Sequence, residues 1–172
     1  KHWVGRGPGN QTPLGDNIHK LPNDLPLAFL PSPNDPWPTQ SAADAGGRFL
    51  GYQLRAGRRP EFRYALSGLT VTDLPVPVAR QPVGELRREI AVQAAEPVEA
   101  AKGQLYFLIA AGKKIDGQGN QFRVDETLQL QIQNPAGGPA VVRQSRDRTE
   151  LLIPLKLDAN SRGAKFTVQY HW

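Results

Sequence analysis

The chain contains no cysteine and no methionine among its 172 residues. It therefore has no disulfide, no c-type haem attachment and no thiolate ligand for a metal ion. Cysteine and methionine carry the sulfur atoms that are most readily oxidised. A composition without them fits an exported domain. The three histidines, His2, His19 and His171, stand at no metal-ligand spacing such as i, i+2 or i, i+4. We therefore predict neither a cofactor nor a metal site.

Long hydrophobic runs are also missing. The longest, from Leu105 to Ala111, has seven residues. A membrane-spanning helix needs about 20 residues, so we predict no membrane-spanning segment. Sixteen prolines and seventeen glycines disfavour helices throughout the chain. One helical candidate remains, the alanine-rich stretch from Ala91 to Lys102, and Pro97 interrupts it.

Catalytic motifs are absent as well. No Gly-x-Ser-x-Gly elbow occurs, and the glycines at positions 5, 7 and 9 follow no strand pattern and enclose a proline. Two carboxylate pairs could serve a glycosidase, Asp125 with Glu126 and Asp147 with Glu150. They stand at strand ends, where acidic residues usually solvate turns. We therefore predict that the chain is not an enzyme.

The hydrophobic pattern from Phe49 onward has a period of two, which is typical of half-buried strands. The cleanest case is Leu128, Leu130 and Ile132, which alternate with three glutamines. Turn signals separate such rows at spacings of 8 to 15 residues. The pattern predicts an all-β fold, an antiparallel two-sheet β-sandwich of about ten short strands. The other rows are Phe62–Leu66, Leu69–Val71, Leu86–Val92 (interrupted by Arg88) and Phe166–Trp172.

We predict a single domain over residues 1–172, in two parts of different texture. Residues 1–48 are rich in proline and glycine, yet they carry more large apolar groups than a disordered tail would. We expect them to wrap the core as an arm with one short strand at Leu25 to Leu30. Residues 49–172 supply the sandwich. Within it, Leu105 to Ala111 lacks alternation, which predicts a central strand with both faces covered.

Basic residues concentrate in one predicted hairpin, whose loop runs from Arg55 to Pro60. The net charge of +5 and the pI near 9.7 suggest an acidic partner. The alternative is a solvated loop without a specific partner. Nucleic acid is not predicted, because no RNA-binding or helix-turn-helix motif accompanies the charge. The predicted partner-binding residues are Arg48, Arg55, Arg58, Arg59 and Arg63, with Lys113 and Lys114 later in the chain.

Three aromatic residues are candidates for stacking on sugar rings, namely Trp3, Trp37 and Tyr52. Trp37 lies between two prolines, in a poor position for a strand core. Such a residue more often pins a loop to the core, and we favour that interpretation for Trp37. A glycan therefore remains an alternative ligand.

A longer set of motifs resembles a β-rich module of large exported bacterial proteins of the planctomycete type. Those proteins combine c-type haem domains with propeller domains similar to quinoprotein or sugar dehydrogenases. The resemblance implies a periplasmic or extracellular location and redox neighbours, among them a c-type cytochrome. Any haem would belong to another domain or chain, since Cys-x-x-Cys-His is absent. The motifs include Gly47-Arg48-Phe49-x-Gly51-Tyr52-x-Leu54, Arg59-Pro60-x-Phe62-x-Tyr64, Leu105-Tyr106-Phe107, Ala110-Ala111-Gly112-Lys113-Lys114-Ile115, Glu150-Leu151-Leu152-Ile153-Pro154 and Tyr170-His171-Trp172.

The leading hypothesis is a non-catalytic interaction module. It would dock to a haem or dehydrogenase domain, or to a partner subunit, through an acidic surface on that partner. The alternative is a carbohydrate-binding module that uses exposed aromatic residues. An enzyme with a site built from Asp and Glu is a third and weaker hypothesis.

Overall fold

The computed structural model describes residues 18–78, 84–96, 103–157 and 162–172, which form twelve β-strands and no α-helix. The predicted helical candidate is wrong, because Ala91 to Ala94 complete a strand; residues 97–102 lie outside the described ranges. The strands are β1 Leu27–Leu30, β2 Arg48–Arg55, β3 Arg59–Leu66, β4 Leu69–Val78, β5 Glu85–Ala94, β6 Gln104–Gly112, β7 Ile115–Gln118, β8 Gln121–Val124, β9 Leu128–Gln133, β10 Val141–Ser145, β11 Arg148–Leu155 and β12 Gly163–His171.

The strands form two antiparallel sheets of unequal width. The smaller sheet has four strands in the order β1-β6-β11-β10, and the larger has eight in the order β2-β3-β4-β5-β12-β9-β8-β7. The predicted antiparallel sandwich is confirmed, with twelve strands in place of about ten. Strands β2 and β7 are the two edges of the larger sheet.

The main core lies between the two sheets. Leu130 and Phe166 project into it from the larger sheet, and Phe107 meets them from β6. The rings of Phe107 and Phe166 pack edge to face with centroids 5.2 Å apart. Alternate residues of each strand supply this core, as a period of two requires.

Strand β6 is covered on both faces, as its unbroken apolar run predicts. Phe107 and Ile109 point into the main core, whereas Tyr106 and Leu108 belong to a second buried cluster on the other face of the small sheet. Trp37 lies in that second cluster and is 2% exposed. A loop of the N-terminal arm therefore covers the outside of the small sheet.

The arm is more than a wrapping segment. Its strand β1 pairs with β6 from Leu27 opposite Phe107 to Leu30 opposite Gln104, which makes it an edge strand of the small sheet. Beyond β1, the indole N–H of Trp37 donates a 2.9 Å hydrogen bond to the backbone carbonyl of Leu25. The described part of the arm is thus joined to the core by backbone and side-chain hydrogen bonds.

A buried ion network anchors the same arm. Glu150 is fully buried, and its two carboxylate oxygens accept hydrogen bonds from the guanidinium groups of Arg143, at 2.8 Å, and Arg148, at 2.9 Å. Arg148 continues to Asp24 of the arm at 2.8 Å, and this hydrogen bond raises the pKa of Arg148. The interpretation of Glu150 as a solvated turn residue is therefore wrong.

Arg143 extends the network to the loop after β1. Its Nη1 donates to the backbone carbonyls of Pro33, at 2.6 Å, and Asp35, at 2.5 Å. Its guanidinium also lies 6.0 Å from the ring centroid of Trp37, within the range of a cation–π contact. One buried carboxylate thus orients two arginines that hold the arm in place.

Replacing Glu150 by glutamine should destabilise the fold by about 3 kcal/mol, because a mostly buried guanidinium loses its counter-charge. Asp147→Asn removes the same charge from an exposed turn nearby and should change the free energy of unfolding by less than about 0.5 kcal/mol. Urea unfolding of the two variants measures both values. Equal losses for the two variants would contradict the role given to Glu150.

Candidate functional site

Strands β2 and β3 form a hairpin at one edge of the larger sheet, and β2 is its outermost strand. No residue of β2 is buried. The smaller sheet has half as many strands as the larger one, so it covers only part of the larger sheet's inner face. The hairpin therefore extends the sandwich beyond its two-layered region.

Local sequence explains the shape of the hairpin. The turn Ala56–Arg58 holds Gly57 and Arg58 at φ values of 73° and 58°, in the left-handed region that glycine adopts without strain. Near the start of β2 the pairing register shifts between Phe49 and Gly51, and Gly51 has a φ of 98°. This β-bulge leaves Leu50 as the extra residue of β2. Regular pairing then runs from Gly51 to Arg55.

The inner face of the hairpin is apolar. Cross-strand partners project to the same side of a sheet, and Tyr52 stands opposite Phe62, with ring centroids 6.4 Å apart. Phe49 stands opposite Tyr64, and Leu54 opposite Pro60. Because Tyr64 packs against the main core, this face continues the core-facing side of the large sheet.

The apolar side chains of this face are exposed to solvent. Phe49 is 66%, Tyr52 63% and Leu54 54% exposed. Phe62, which the sequence pattern predicts to face inward and to be buried, is 37% exposed. The side chain of Phe62 points inward, as the alternation of apolar and polar residues predicts, but the four-stranded sheet does not extend over it. Leu50, at the bulge, is exposed as well.

The outer face of the hairpin is basic. Arg48 stands opposite Ala65, Arg63 opposite Gly51, and Arg55 opposite Arg59. Arg58 adds a fifth positive charge at the turn. Between Arg48 and Leu66 there are five arginines and one acidic residue, which gives 5 − 1 = +4 of the net +5 of the whole chain. The structure thus brings the five predicted arginines together on one hairpin.

Glu61 is the acidic residue of this face. Its carboxylate contacts the guanidinium of Arg55 at 2.6 Å, and this hydrogen bond raises the pKa of Arg55. The contact joins neighbouring positions on the outer face, since Glu61 is opposite Gln53 and Arg55 is opposite Arg59. One of the five guanidinium groups is therefore partly neutralised.

Lys113 and Lys114 do not belong to the hairpin surface. They follow β6 and lead into β7, the opposite edge strand of the large sheet. Seven strand spacings separate β7 from β2, or on the order of 30 Å at about 4.8 Å per strand. Lys114 is engaged by Asp116 at 2.7 Å, and that hydrogen bond raises its pKa. The predicted basic set therefore divides into two separate places.

The three candidates for sugar stacking also separate. Trp37 is buried against the small sheet, which confirms that it pins the arm and removes it from the exposed aromatic residues. Trp3 lies outside the described residues. Tyr52 is exposed on the hairpin beside Phe62. Only Tyr52 of the three is therefore shown to present an accessible ring.

A polar cluster lies on the inner face behind the hairpin. Arg88 forms an ion pair with Asp73, and its Nη1 donates a 3.4 Å hydrogen bond to the hydroxyl of Tyr170. Burial raises the pKa of Tyr170 and also that of Tyr64 on β3. The sequence signal for this cluster is the single arginine that interrupts the apolar row from Leu86 to Val92. The cluster ties β4, β5 and β12 together next to the hairpin.

A solvent-facing cleft of about 500 Å³ adjoins the outer face of the hairpin. Two carboxylates line it, Glu61 and Glu89. Each is paired with an arginine, Glu61 with Arg55 at 2.6 Å and Glu89 with Arg87 at 3.0 Å. Both carboxylates of the cleft are thus engaged in ion pairs with arginines.

Comparisons with protein-family models, with curated proteins and with solved structures found no match for this chain. In the described ranges, no three His, Asp or Glu side chains are grouped so that they could hold a metal ion. The same ranges contain no helix of the length and hydropathy that crossing a membrane requires. The function of the hairpin must therefore be inferred from its own geometry and charge.

Tyr170 gives a pH dependence that can be measured. Its pKa is raised in the folded state, so its contribution to stability is complete below about pH 10 and is lost as the pH rises further. We expect the free energy of unfolding to fall above pH 10 by up to about 1.4 kcal/mol per pH unit for this residue. Tyr170→Phe should flatten the fall, measured by urea unfolding between about pH 8 and pH 11.

Tyr52→Phe is the matched control, because it removes a tyrosine hydroxyl from an exposed side chain of the hairpin and leaves the core unchanged. The control should keep the alkaline fall of the unmodified protein. The assignment to Tyr170 is wrong if Tyr170→Phe and Tyr52→Phe have the same slope.

Proposed function

We propose that this domain is a non-catalytic protein-docking module, and that the β2–β3 hairpin is its docking surface. The observation that carries the proposal is one hairpin with an exposed apolar inner face and a basic outer face. The partner is a protein or a neighbouring domain with an acidic surface. Burial of the apolar face provides affinity. The arginines orient the partner and raise the rate of association.

An exposed apolar edge strand requires an explanation. Proteins usually blunt the edges of their sheets with short strands, inward charges or covering loops, because an open edge pairs with other chains. Strand β2 has eight residues, four of them large apolar ones with more than a third of their surface exposed. Contiguous exposed apolar surface of this kind usually marks an interaction site.

Charge argues that the partner differs from this chain. In an antiparallel pairing of two β2 strands about a two-fold axis, Arg48 of one copy would lie near Arg55 of the other. Like charges facing each other across a sheet are destabilising, and each hairpin would bring a net charge of +4. The arginines at the two ends of β2 therefore oppose self-association and favour an acidic partner.

The resemblance to modules of exported redox proteins suggests the setting. We propose a periplasmic or extracellular location and a partner that is a haem or dehydrogenase domain, for example a c-type cytochrome. Long-range attraction between a basic hairpin and an acidic surface raises association rates, which suits a transient contact with such a partner.

Sugar binding is the alternative. It rests on exposed aromatic rings, and Tyr52 is the one of the three candidates that the structure places at the surface. Tyr52 shares its hairpin with five arginines, and their charge suits an acidic protein surface better than a neutral glycan. Glycan binding should leave the affinity nearly independent of salt, whereas docking should not.

Site-specific photo-cross-linking in the organism that makes the protein tests the proposal. Benzoylphenylalanine at position 52 should capture a protein, and the cross-linked peptide should be rich in Asp and Glu. The same group at Gln118, exposed on the opposite edge strand, is the matched control and should capture none. Equal products from the two positions, or no product from position 52, would contradict docking through the hairpin.

Charge reversal of the captured complex provides the energetic test. Arg58→Glu with Arg59→Glu should weaken binding at least tenfold, because screened attraction becomes repulsion. Lys113→Glu with Lys114→Glu makes the same charge change at the opposite edge and should leave the affinity within twofold. Unmodified protein should bind progressively less well between about 0.05 and 0.5 M salt. Binding that does not change with salt concentration would contradict the electrostatic part of the proposal.

A further inference from the structure

We infer that β2 docks by strand addition, in which an extended segment of the partner with alternating acidic and apolar residues pairs with its open edge. This inference rests on the proposed docking function. It adds the shape of the partner segment and the pattern of its side chains. Three features of β2 carry the inference: its free backbone groups, its two chemically different faces and the length of its regular part.

The free backbone groups follow from the register. Residues along an antiparallel pair alternate between those bonded to the neighbouring strand and those whose N–H and C=O point away from it. Leu54 stands opposite Pro60, which has no N–H to donate. Leu54 and, two residues earlier, Tyr52 therefore direct their backbone N–H and C=O groups to the open edge of the sheet. A partner strand would bond to these two residues.

The two faces define the side-chain pattern of that strand. Tyr52 and Leu54 project to the apolar inner face, whereas Gln53 and Arg55 project to the basic outer face with Arg59 beside them. A strand added to β2 continues both faces, because cross-strand partners share a side. Apolar side chains next to Tyr52 and Leu54 would extend the apolar strip. Carboxylates next to Arg55 would meet the guanidinium groups.

The length of the contact is limited at both ends. The bulge at Phe49 and Gly51 interrupts the regular ladder on one side, and the turn that starts at Ala56 ends it on the other. The five residues from Gly51 to Arg55 remain in regular register with β3. The partner segment is therefore a short motif of about five to seven residues, which is typical of strand addition at a sheet edge.

The experiment uses the whole chain and a synthetic peptide of about seven residues that alternates glutamate and valine. The control peptide has the same composition, with its glutamates grouped at one end and its valines at the other. Titration calorimetry should show at least tenfold tighter binding of the alternating peptide. Amide hydrogen exchange should slow at least tenfold at Tyr52 and Leu54 when this peptide is bound, and little at Gln53.

Two variants at Leu54 distinguish the contribution of its backbone N–H to binding from that of its side chain. Leu54→Pro removes an N–H that points to the open edge, so it should keep the fold and weaken binding of the alternating peptide at least tenfold. Leu54→Ala keeps the N–H, removes most of the side chain and should weaken binding less. Circular dichroism checks that the proline variant is folded. A peptide N-methylated on alternate residues gives the same test without altering the protein.

Strand addition is overturned if the alternating and grouped peptides bind equally, if N-methylation has no effect, or if neither peptide binds. Equal binding of the two peptides with strong salt dependence would leave docking to an acidic surface intact and refute only the strand geometry. A dimer of this chain that protects Tyr52 and Leu54 without peptide would also overturn the inference, because a second copy would then occupy the edge.

Discussion

The structure depends on a mismatch between the widths of two stacked sheets. A sheet with one apolar face is stable in water only where a second layer covers that face. Here eight strands face four, so the core forms where the two overlap and the apolar face continues past the overlap. Within the ranges that the structure describes, no strand lies over the hairpin with Tyr52 and Phe62, and both side chains are exposed. Its exposed side chains are thus a direct consequence of the strand count.

The small sheet differs, because its middle strands β6 and β11 are covered on both faces, whereas Val142 and Gln144 of the edge strand β10 are exposed. The inner face meets the larger sheet, and the outer face is covered by the arm through Trp37. Glu150 holds this cover by orienting Arg143 toward the arm's backbone and Arg148 toward Asp24. Buried charges are expensive unless they are paired and hydrogen-bonded, and here each partner is supplied. The fold covers both faces of the middle strands of its narrow sheet and leaves one end of its wide sheet open.

The directions of the side chains could be predicted from the sequence. Alternation correctly placed Leu130 and Phe166 in the core, and the unbroken run through Phe107 correctly gave a strand covered on both faces. Exposure could not be predicted in the same way. Phe62 follows the same alternation as Phe166, but whether a second layer lies over it depends on how many strands pair into each sheet. Those pairings are set by contacts far apart in the chain.

For the charged residues, too, only contacts between neighbours in the sequence could be predicted. The five arginines were predicted to lie on one hairpin because they are close in sequence, and a short turn necessarily keeps them close in space. Lys113 and Lys114 were also assigned to this basic surface. No short turn links these lysines to the hairpin, and the topology places them at the other edge of the large sheet. The burial of Glu150 could not be predicted, because its partner Arg148 is held in turn by Asp24 of the arm, 124 positions away from Arg148 in the sequence.

Docking through the hairpin requires that the apolar face of β2 meets solvent when the domain is alone. Hydroxyl-radical footprinting of the isolated domain measures this for each aromatic side chain. We predict rapid oxidation of Phe49 and Tyr52, and slow oxidation of Phe166 and Tyr170, which are buried in the core. Protection of Tyr52 equal to that of Tyr170 would show that another part of the chain covers the hairpin, and would contradict the account.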